Sequence, residues 1–392
     1  MAKGHARDAR PPRANRVRFR FPPRPIVVPV NTSSSPSASE TAPESSATAA
    51  PVVHADLLTD LLRDVSRTFY KTLRILPVPI RRPVSLAYLL ARATDIIADT
   101  ELVPVSGRLA ALDHLRGRIL GQTAAPLDFT AFTSAAAGAA PSGGTEAERV
   151  LLARIEEALV VLASLDAADQ ALIREVLTTI TGGQELDLRR FGTASVSQMV
   201  ALQNDSELDD YAYRVAGCVG EFWTRICRRR LFPALRLDDA RLLANGVRFG
   251  KGLQLVNILR DLPRDLRQGR CYIPADGLAH HGLSPAALLD ATAIGRFRDL
   301  YDAHLAIARQ HLAAGWDYTN MLPRRQVRVR LACAWPILIG MRTLARLRTG
   351  NVLDAGRRIK VSRAEVRRLI LRTVVCYPRA GAWEKLFDRA RL

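Results

Sequence analysis

Apolar residues recur at helical spacing along most of the chain, and no stretch alternates as a half-buried strand would. The first helical stripe comprises Leu57, Leu58, Leu61, Leu62, Val65 and Phe69. Pro77, Pro79 and Pro83 are expected to break it, with a helix resuming over 84–100 and another over 106–120. Residues 122–146 contain TAAP and SAAAGAAPSGG and read as an exposed loop. Further helices are expected over 147–164, 167–190, 206–230, 238–265, 284–314 and 326–347, with short ones after 362. The pattern predicts an all-α bundle of about ten helices without internal repeats.

Two of these helices carry polar stripes on otherwise apolar bodies. On the first, Tyr88, Arg92, Asp95 and Asp99 fall on one face, opposite Leu86, Leu90, Ala93 and Ile97. On the second, Gln254, Asn257, Asp261 and Asp265 do the same. Side chains four apart on a helix are neighbours, with Cβ atoms about 5–6 Å apart. Each aspartate pair can therefore hold a hard cation between two oxygens. Two pairs facing one another would form a cage for Mg²⁺ and a diphosphate.

Taken alone, the first stripe is what a solvated helix face shows most of the time. The second is harder to dismiss. Leu253, Leu255, Val256, Ile258 and Leu259 predict a helix buried nearly all round. An unpaired carboxylate there costs on the order of several kcal/mol. A metal ion would compensate, and so would ion pairs with Arg260 and Arg264. Pro263 lacks a backbone donor, so a bend or a helix end is expected beside this pair. Gly217 and Gly220 in VAGCVG imply close helix contact or room for a ligand. Arg67, between Ser66 and Thr68, could clamp a phosphate.

Composition narrows the field. With 392 residues, 48 % hydrophobic and 6 % aromatic, the chain can build a sizeable helical core. The net charge is +19; residues 1–50, with eight Lys/Arg and three Asp/Glu, contribute +5 and the remainder +14. That balance favours polyanionic partners: nucleic acid, acidic lipid or diphosphates. Residues 1–50 are Arg/Pro- then Ser/Ala/Pro-rich, a composition expected of a disordered tail, leaving 51–392 as one helical domain. Five scattered cysteines without a CxxC pair argue against zinc and for a reducing, cytoplasmic setting. Neither a transmembrane span nor a signal peptide is recognised. Phosphate-loop, dinucleotide, HExxH and GxSxG motifs are absent. A basic nucleic-acid-binding helical protein is the rival from another class, but the basic runs lack interleaved aromatics for base stacking.

Four blocks in order, SRTFY (66–70), YLLARATDIIADT (88–100), YAYRVAGCVGEFW (211–223) and LQLVNILRDLPRDLRQGRCYIP (253–274), resemble the squalene/phytoene synthases, over roughly 56–375. Within that family the chain looks most like bacterial squalene synthases. The resemblance implies a class I isoprenoid synthase fold and the head-to-head condensation of two farnesyl diphosphates, through presqualene diphosphate, to squalene. It implies Mg²⁺ on Asp95, Asp99, Asp261 and Asp265. Arg67, Tyr88, Arg92, Asn257, Arg260 and Arg270 match positions around the diphosphates, and Tyr211 matches a tyrosine proposed to assist proton removal. Ile359-Lys360-Val361 resembles a segment contacting NADPH, with Asn257 as a further cofactor contact. Three features depart from the pattern. The first motif has fewer acids than the eukaryotic form, Ser362 stands where a second basic residue is expected, and the eukaryotic C-terminal anchor is missing. A monomer is expected, with peripheral membrane contact left open. Relatives making phytoene, dehydrosqualene or hydroxysqualene are the nearest alternatives.

Overall fold

The computed structural model describes residues 57–66, 70–135 and 145–390. The basic tail at 1–50 and Arg67 lie outside the described residues. Among the described residues there are sixteen α-helices rather than about ten. A wide turn at Leu57–Leu61 leads into α1 (Leu62–Ser66), followed by α2 (Tyr70–Ile75).

The next helix corrects the proline expectation: α3 runs unbroken over Val78–Asp99. Pro79 lies in its first turn, where the amide hydrogen has no partner within the helix anyway. Pro83 removes a single bond to the carbonyl of residue 79, and its ring is buried.

Then come α4 (Val105–Leu120), α5 (Thr130–Ala135), α6 (Glu146–Ala153), α7 (Ile155–Ala163) and α8 (Ala167–Phe191). The expected loop at 122–146 thus contains a short helix, started where Thr130 N donates to Asp128 Oδ1 at 2.9 Å. The helix expected at 206–230 is α9 (Asp205–Ala212) and α10 (Cys218–Leu231), joined by a wide turn at Tyr213–Gly217. After α11 (Asp239–Arg267) and α12 (Ala275–His280), the helix expected from 284 starts only at Ile294. Two tight turns precede it, because Ser284 Oγ accepts from Ala287 N (3.3 Å) and Asp290 Oδ1 from Thr292 N (2.8 Å). Such local bonds compete with the helix ladder. The remaining helices are α13 (Ile294–Met321), α14 (Val327–Thr349), α15 (Arg363–Cys376) and α16 (Ala380–Ala390).

The buried centre is α11, which packs on α10, α13 and α14, while α8 packs on α3, α4 and α10. Gly220 lies against Gly246, and Gly250 against Ala216, so closely that a Cβ on either Gly220 or Gly250 would collide with the facing carbonyl. The small residues of VAGCVG thus serve helix contact. Asn257 is exposed, so α11 is not buried all round as expected.

Pro263 sits within α11, which continues only to Arg267, the helix end anticipated beside the acids. The carbonyl that Pro263 cannot serve, that of Leu259, accepts instead from the fully buried Tyr301 hydroxyl at 2.9 Å. Beyond α11 the chain turns at Gly269 (φ 77°), where any Cβ would strike the backbone of Ser195. It then pairs β2 (Arg270–Cys271) in parallel with β1 (Val200–Ala201). This two-residue ladder fixes Arg270 at the foot of the site.

Candidate active site

Four elements converge on one cavity of about 260 Å³: α3 supplies Asp95 and Asp99, α8 Gln184 and Asp187, α9 Tyr211, and β2 with its following residue Arg270 and Tyr272. Ile180, Leu188, Val215 and Val219 give it an apolar wall.

Asp95 Oδ1 accepts from Gln184 Nε2 at 2.7 Å, and Arg92 Nη1 stands 3.8 Å from Oδ2. The Asp95 side chain keeps 48 % exposure because it borders the cavity. The enclosing protein nevertheless desolvates it, and with the Asp99 charge this pushes its carboxyl up to about 6. Asp99 is raised by the same desolvation, against the pull of Arg92, Arg270 and Arg264. Arg92 is pinned by Glu148, whose other oxygen accepts from Thr145 N (2.7 Å) in the cap of α6. The cap of a neighbouring helix therefore aims the arginine at the first pair.

On the other side, burial and the Asp261 charge push Asp265 up to about 7, with Asp187 adding to the shift and Arg264 and Arg270 opposing it. Asp187 is pushed up to about 6, mainly by burial. Its Oδ2 lies 3.8 Å from Arg270 Nη1, and Tyr272 Oη donates to its two oxygens at 3.1 and 3.3 Å. Arg264 and Arg270 thus act on Asp99 from α3 and on Asp265 from α11, one acid of each pair. Tyr211 stacks on Tyr272, with ring centroids 4.8 Å apart, and burial raises its phenol above the ordinary value.

Asp261 is placed differently. Arg260 Nε donates to its Oδ1 at 2.9 Å, Arg260 Nη2 bonds its Oδ2, and Arg358 Nη2 lies 3.9 Å away. The ion pair with Arg260, weighed against a metal from the sequence, is present. Asp261 lines a second recess of about 400 Å³ with Arg260, Arg264, Arg357, Arg358 and Ile359. Tyr88 is half-buried on α3 next to the Arg92 charge, and Asn257 is exposed on α11. Lys360 is exposed, with its carbonyl bonded by Arg346. Ser362, noted where a basic residue was expected, caps α15 by accepting from Glu365 N at 3.2 Å.

Gln184, Asp187 and Tyr272 were not singled out from the sequence. The signal for the first two was a polar pair three apart following Gly182-Gly183, where Gly183 packs on Arg214 with no room for a Cβ. Tyr272 lay inside the GRCYIP stretch without a role.

Among the described residues no three acidic, histidine or cysteine side chains meet closely enough to hold a metal alone. Asp95, Asp99 and Asp187 line the cavity, Asp261 lines the second recess, and Asp265 lines neither. That arrangement suits Mg²⁺, which takes one or two carboxylates and completes its shell with water and substrate phosphate oxygens. Asp95, Asp99 and Asp265 offer hard oxygens whose charged forms burial disfavours, a cost that a cation would offset. Asp261 could join them only by leaving Arg260.

A family model described as squalene/phytoene synthase matches residues 62–365. The chain belongs to the squalene/phytoene synthase family. Its fold is accordingly that of the helical isoprenoid synthases, and its family is of the prenyltransferase type. A presqualene diphosphate synthase of Sinorhizobium fredii is 29 % identical over 266 residues, spanning 67 % of this chain and 77 % of that protein. A bifunctional lycopene cyclase/phytoene synthase of Arthroderma gypseum is 34 % identical over 146 residues, which are 37 % of this chain and only 24 % of the relative. Among solved structures, TcSQS in complex with E5700 aligns with a TM-score of 0.64 at 22 % identity, over 86 % of this family member and 97 % of that chain. The squalene synthase HpnC of Alicyclobacillus acidocaldarius aligns at 0.53 and 19 % identity, over 76 % and 93 %. At these identities the structural likeness establishes the fold. Among the described residues no helix is long and apolar enough to cross a membrane.

Proposed function

We infer that the protein condenses two farnesyl diphosphates head to head, through presqualene diphosphate, to squalene. The observation that carries this reading is the apolar-walled cavity in which Asp95 and Asp99 of α3 meet Arg270 and Asp187, with the Arg270 charge acting on Asp265 of α11 as well. Carboxylates and guanidiniums of this kind would hold a diphosphate together with Mg²⁺.

When bound, Mg²⁺ on Asp95, Asp99 and Asp265 supplies Lewis-acid stabilisation of the departing diphosphate. Arg264 and Arg270 hold the diphosphate by charge-assisted hydrogen bonds. Ionisation breaks the C1–O bond of one substrate. The 2,3 double bond of the second attacks C1, and loss of a proton closes the cyclopropane. Tyr211 stays a neutral phenol because burial disfavours its phenolate. The released diphosphate is therefore the better proton acceptor, with Tyr211 positioned beside it. Ile180, Leu188, Val215 and Val219 exclude water that would trap the cation.

NADPH, when bound, supplies the hydride that turns the second carbocation into squalene. Arg357 and Arg358 line the recess beside Asp261, with Lys360 exposed two residues on, and they offer cations for its phosphates. A second reading is favoured by Ser362, whose hydroxyl is used as a helix cap, and by relatives named presqualene diphosphate synthase. In it the reaction ends at presqualene diphosphate.

The test is product analysis with farnesyl diphosphate and Mg²⁺, with and without NADPH. Squalene appearing only with NADPH supports the first reading, and presqualene diphosphate under both conditions supports the second. Turnover confined to geranylgeranyl diphosphate, giving phytoene, would overturn both.

A further inference from the structure

The helix α15 (Arg363–Cys376) packs one face on the body through half-buried Leu369, Ile370 and Cys376 and its one buried residue, Thr373, whose hydroxyl accepts from Trp335 Nε1 at 2.8 Å. Its outer face carries Leu371, Val374 and Val375, exposed to 65 %, 48 % and 55 %. At the helical repeat these three form a single strip. Arg363 and Arg367 flank one side of it, Arg368 and Arg372 the other, and all four are exposed. The only carboxylate of the helix, Glu365, turns inward to Arg346 and Arg342. Between residues 355 and 380 there are eight Lys/Arg against that single acid. The outward face therefore presents aliphatic groups between two rows of unopposed cations.

We propose that this face of α15 docks on an anionic lipid bilayer. An aliphatic strip bordered by arginines on both edges lets the side chains of Leu371 and Val375 enter the acyl boundary. The guanidiniums then stay at headgroup level, on stems long enough to reach it. A single-stranded nucleic acid would call for aromatic platforms between the cations, and this strip has none; a duplex would contact the guanidiniums and leave the aliphatic strip without a partner. The proposal does not depend on which diphosphate the enzyme uses.

The test is co-sedimentation of the full chain with vesicles of phosphatidylcholine alone and of phosphatidylcholine mixed with phosphatidylglycerol. Two double variants accompany the wild type, Leu371→Asp with Val375→Asp and Arg367→Glu with Arg372→Glu, all retaining the basic tail at 1–50. The substituted side chains are exposed, so melting temperature and circular dichroism should not change. Wild type should sediment with the mixed vesicles only, and less so as salt rises. Each double variant should lose about tenfold or more in apparent affinity. Equal binding to uncharged vesicles would overturn the proposal. So would variants that sediment like wild type, which would assign binding to the tail. Loss of RNA or acidic-protein binding in the same variants, without any vesicle binding by wild type, would overturn it as well.

Discussion

Replacing Asp187 by Asn should make the ligand-free protein more stable and the enzyme slower. The Asp187 side chain is 17 % exposed, and burial lifts its carboxyl from an ordinary 3.8 to about 6. A carboxyl raised in the folded state binds protons more tightly there than in the unfolded chain. Folding stability must therefore fall as pH rises from the unfolded value through the folded one. Linkage assigns Asp187 at most about 3 kcal/mol against folding near pH 8, and about half of that near pH 5. Asn keeps the shape and an oxygen that can accept from Tyr272, but carries no charge to desolvate. For a chain of this size the gain should be a few degrees in melting temperature near pH 8, roughly halved near pH 5. Scanning fluorimetry of both proteins across that range is sufficient. Turnover should fall about tenfold or more, because Arg270 loses the carboxylate that orients it. A variant less stable than wild type at pH 8, or a difference independent of pH, would refute the reasoning.

The other expectations concern single residues. Asp95→Asn and Asp261→Asn should each abolish diphosphate release while leaving the circular dichroism unchanged; a pyrophosphate-release assay at wild-type rate would remove the metal assignment in the first and any catalytic part for Asp261 in the second. Apparent Mg²⁺ affinity, read from activity titrations, should rise with pH up to about 7–8, because Asp95 at about 6 and Asp265 at about 7 must lose protons to bind a cation. Tyr301→Phe should destabilise the protein by about 1–3 kcal/mol in urea unfolding, since the Leu259 carbonyl beside Pro263 loses its buried donor. Gly250→Ala should destabilise the protein by about 2 kcal/mol or more in urea unfolding, beyond a typical surface change, because its Cβ would collide with the backbone carbonyl of Ala216.

Much of this architecture was legible because helix spacing and acid spacing are local. The stripes of Asp95/Asp99 and Asp261/Asp265 follow from four-residue separations, and each lies on a helix close to where periodicity placed it. Pro77 does separate α2 from α3, but Pro79 and Pro83 misled, and Pro263 ended its helix only four residues later, for a physical reason. A proline interrupts a helix only when the bond it removes finds no substitute, and whether one exists is a tertiary fact. At Pro263 the substitute is the hydroxyl of Tyr301, 38 residues away in sequence. Asp187 was overlooked for a similar reason. The glycine pair before it is a weak mark, and its importance arises from Arg270 and Tyr272, brought opposite by a two-residue parallel ladder.

The pairing of Asp261 with Arg260 bears on how the site opens. In the ligand-free protein both oxygens of Asp261 are engaged by one guanidinium, whereas Asp95 and Asp265 are held at raised proton affinity. A guanidinium bonded to both oxygens offsets the Asp261 charge, whereas the charges of Asp95 and Asp265 are disfavoured by burial, so a cation entering alone gains most at Asp95 and Asp265. A diphosphate entering with it competes for Arg260 and releases Asp261. Metal and diphosphate should therefore bind with positive coupling: each removes the other's competitor, and linkage requires the enhancement to be equal in both directions. Calorimetric titration of Mg²⁺ with and without inorganic pyrophosphate measures it. Arg260→Gln should shrink the coupling by freeing Asp261 beforehand, and should tighten Mg²⁺ binding in the absence of pyrophosphate. Unchanged coupling in that variant would mean that the exchange at Asp261 plays no part.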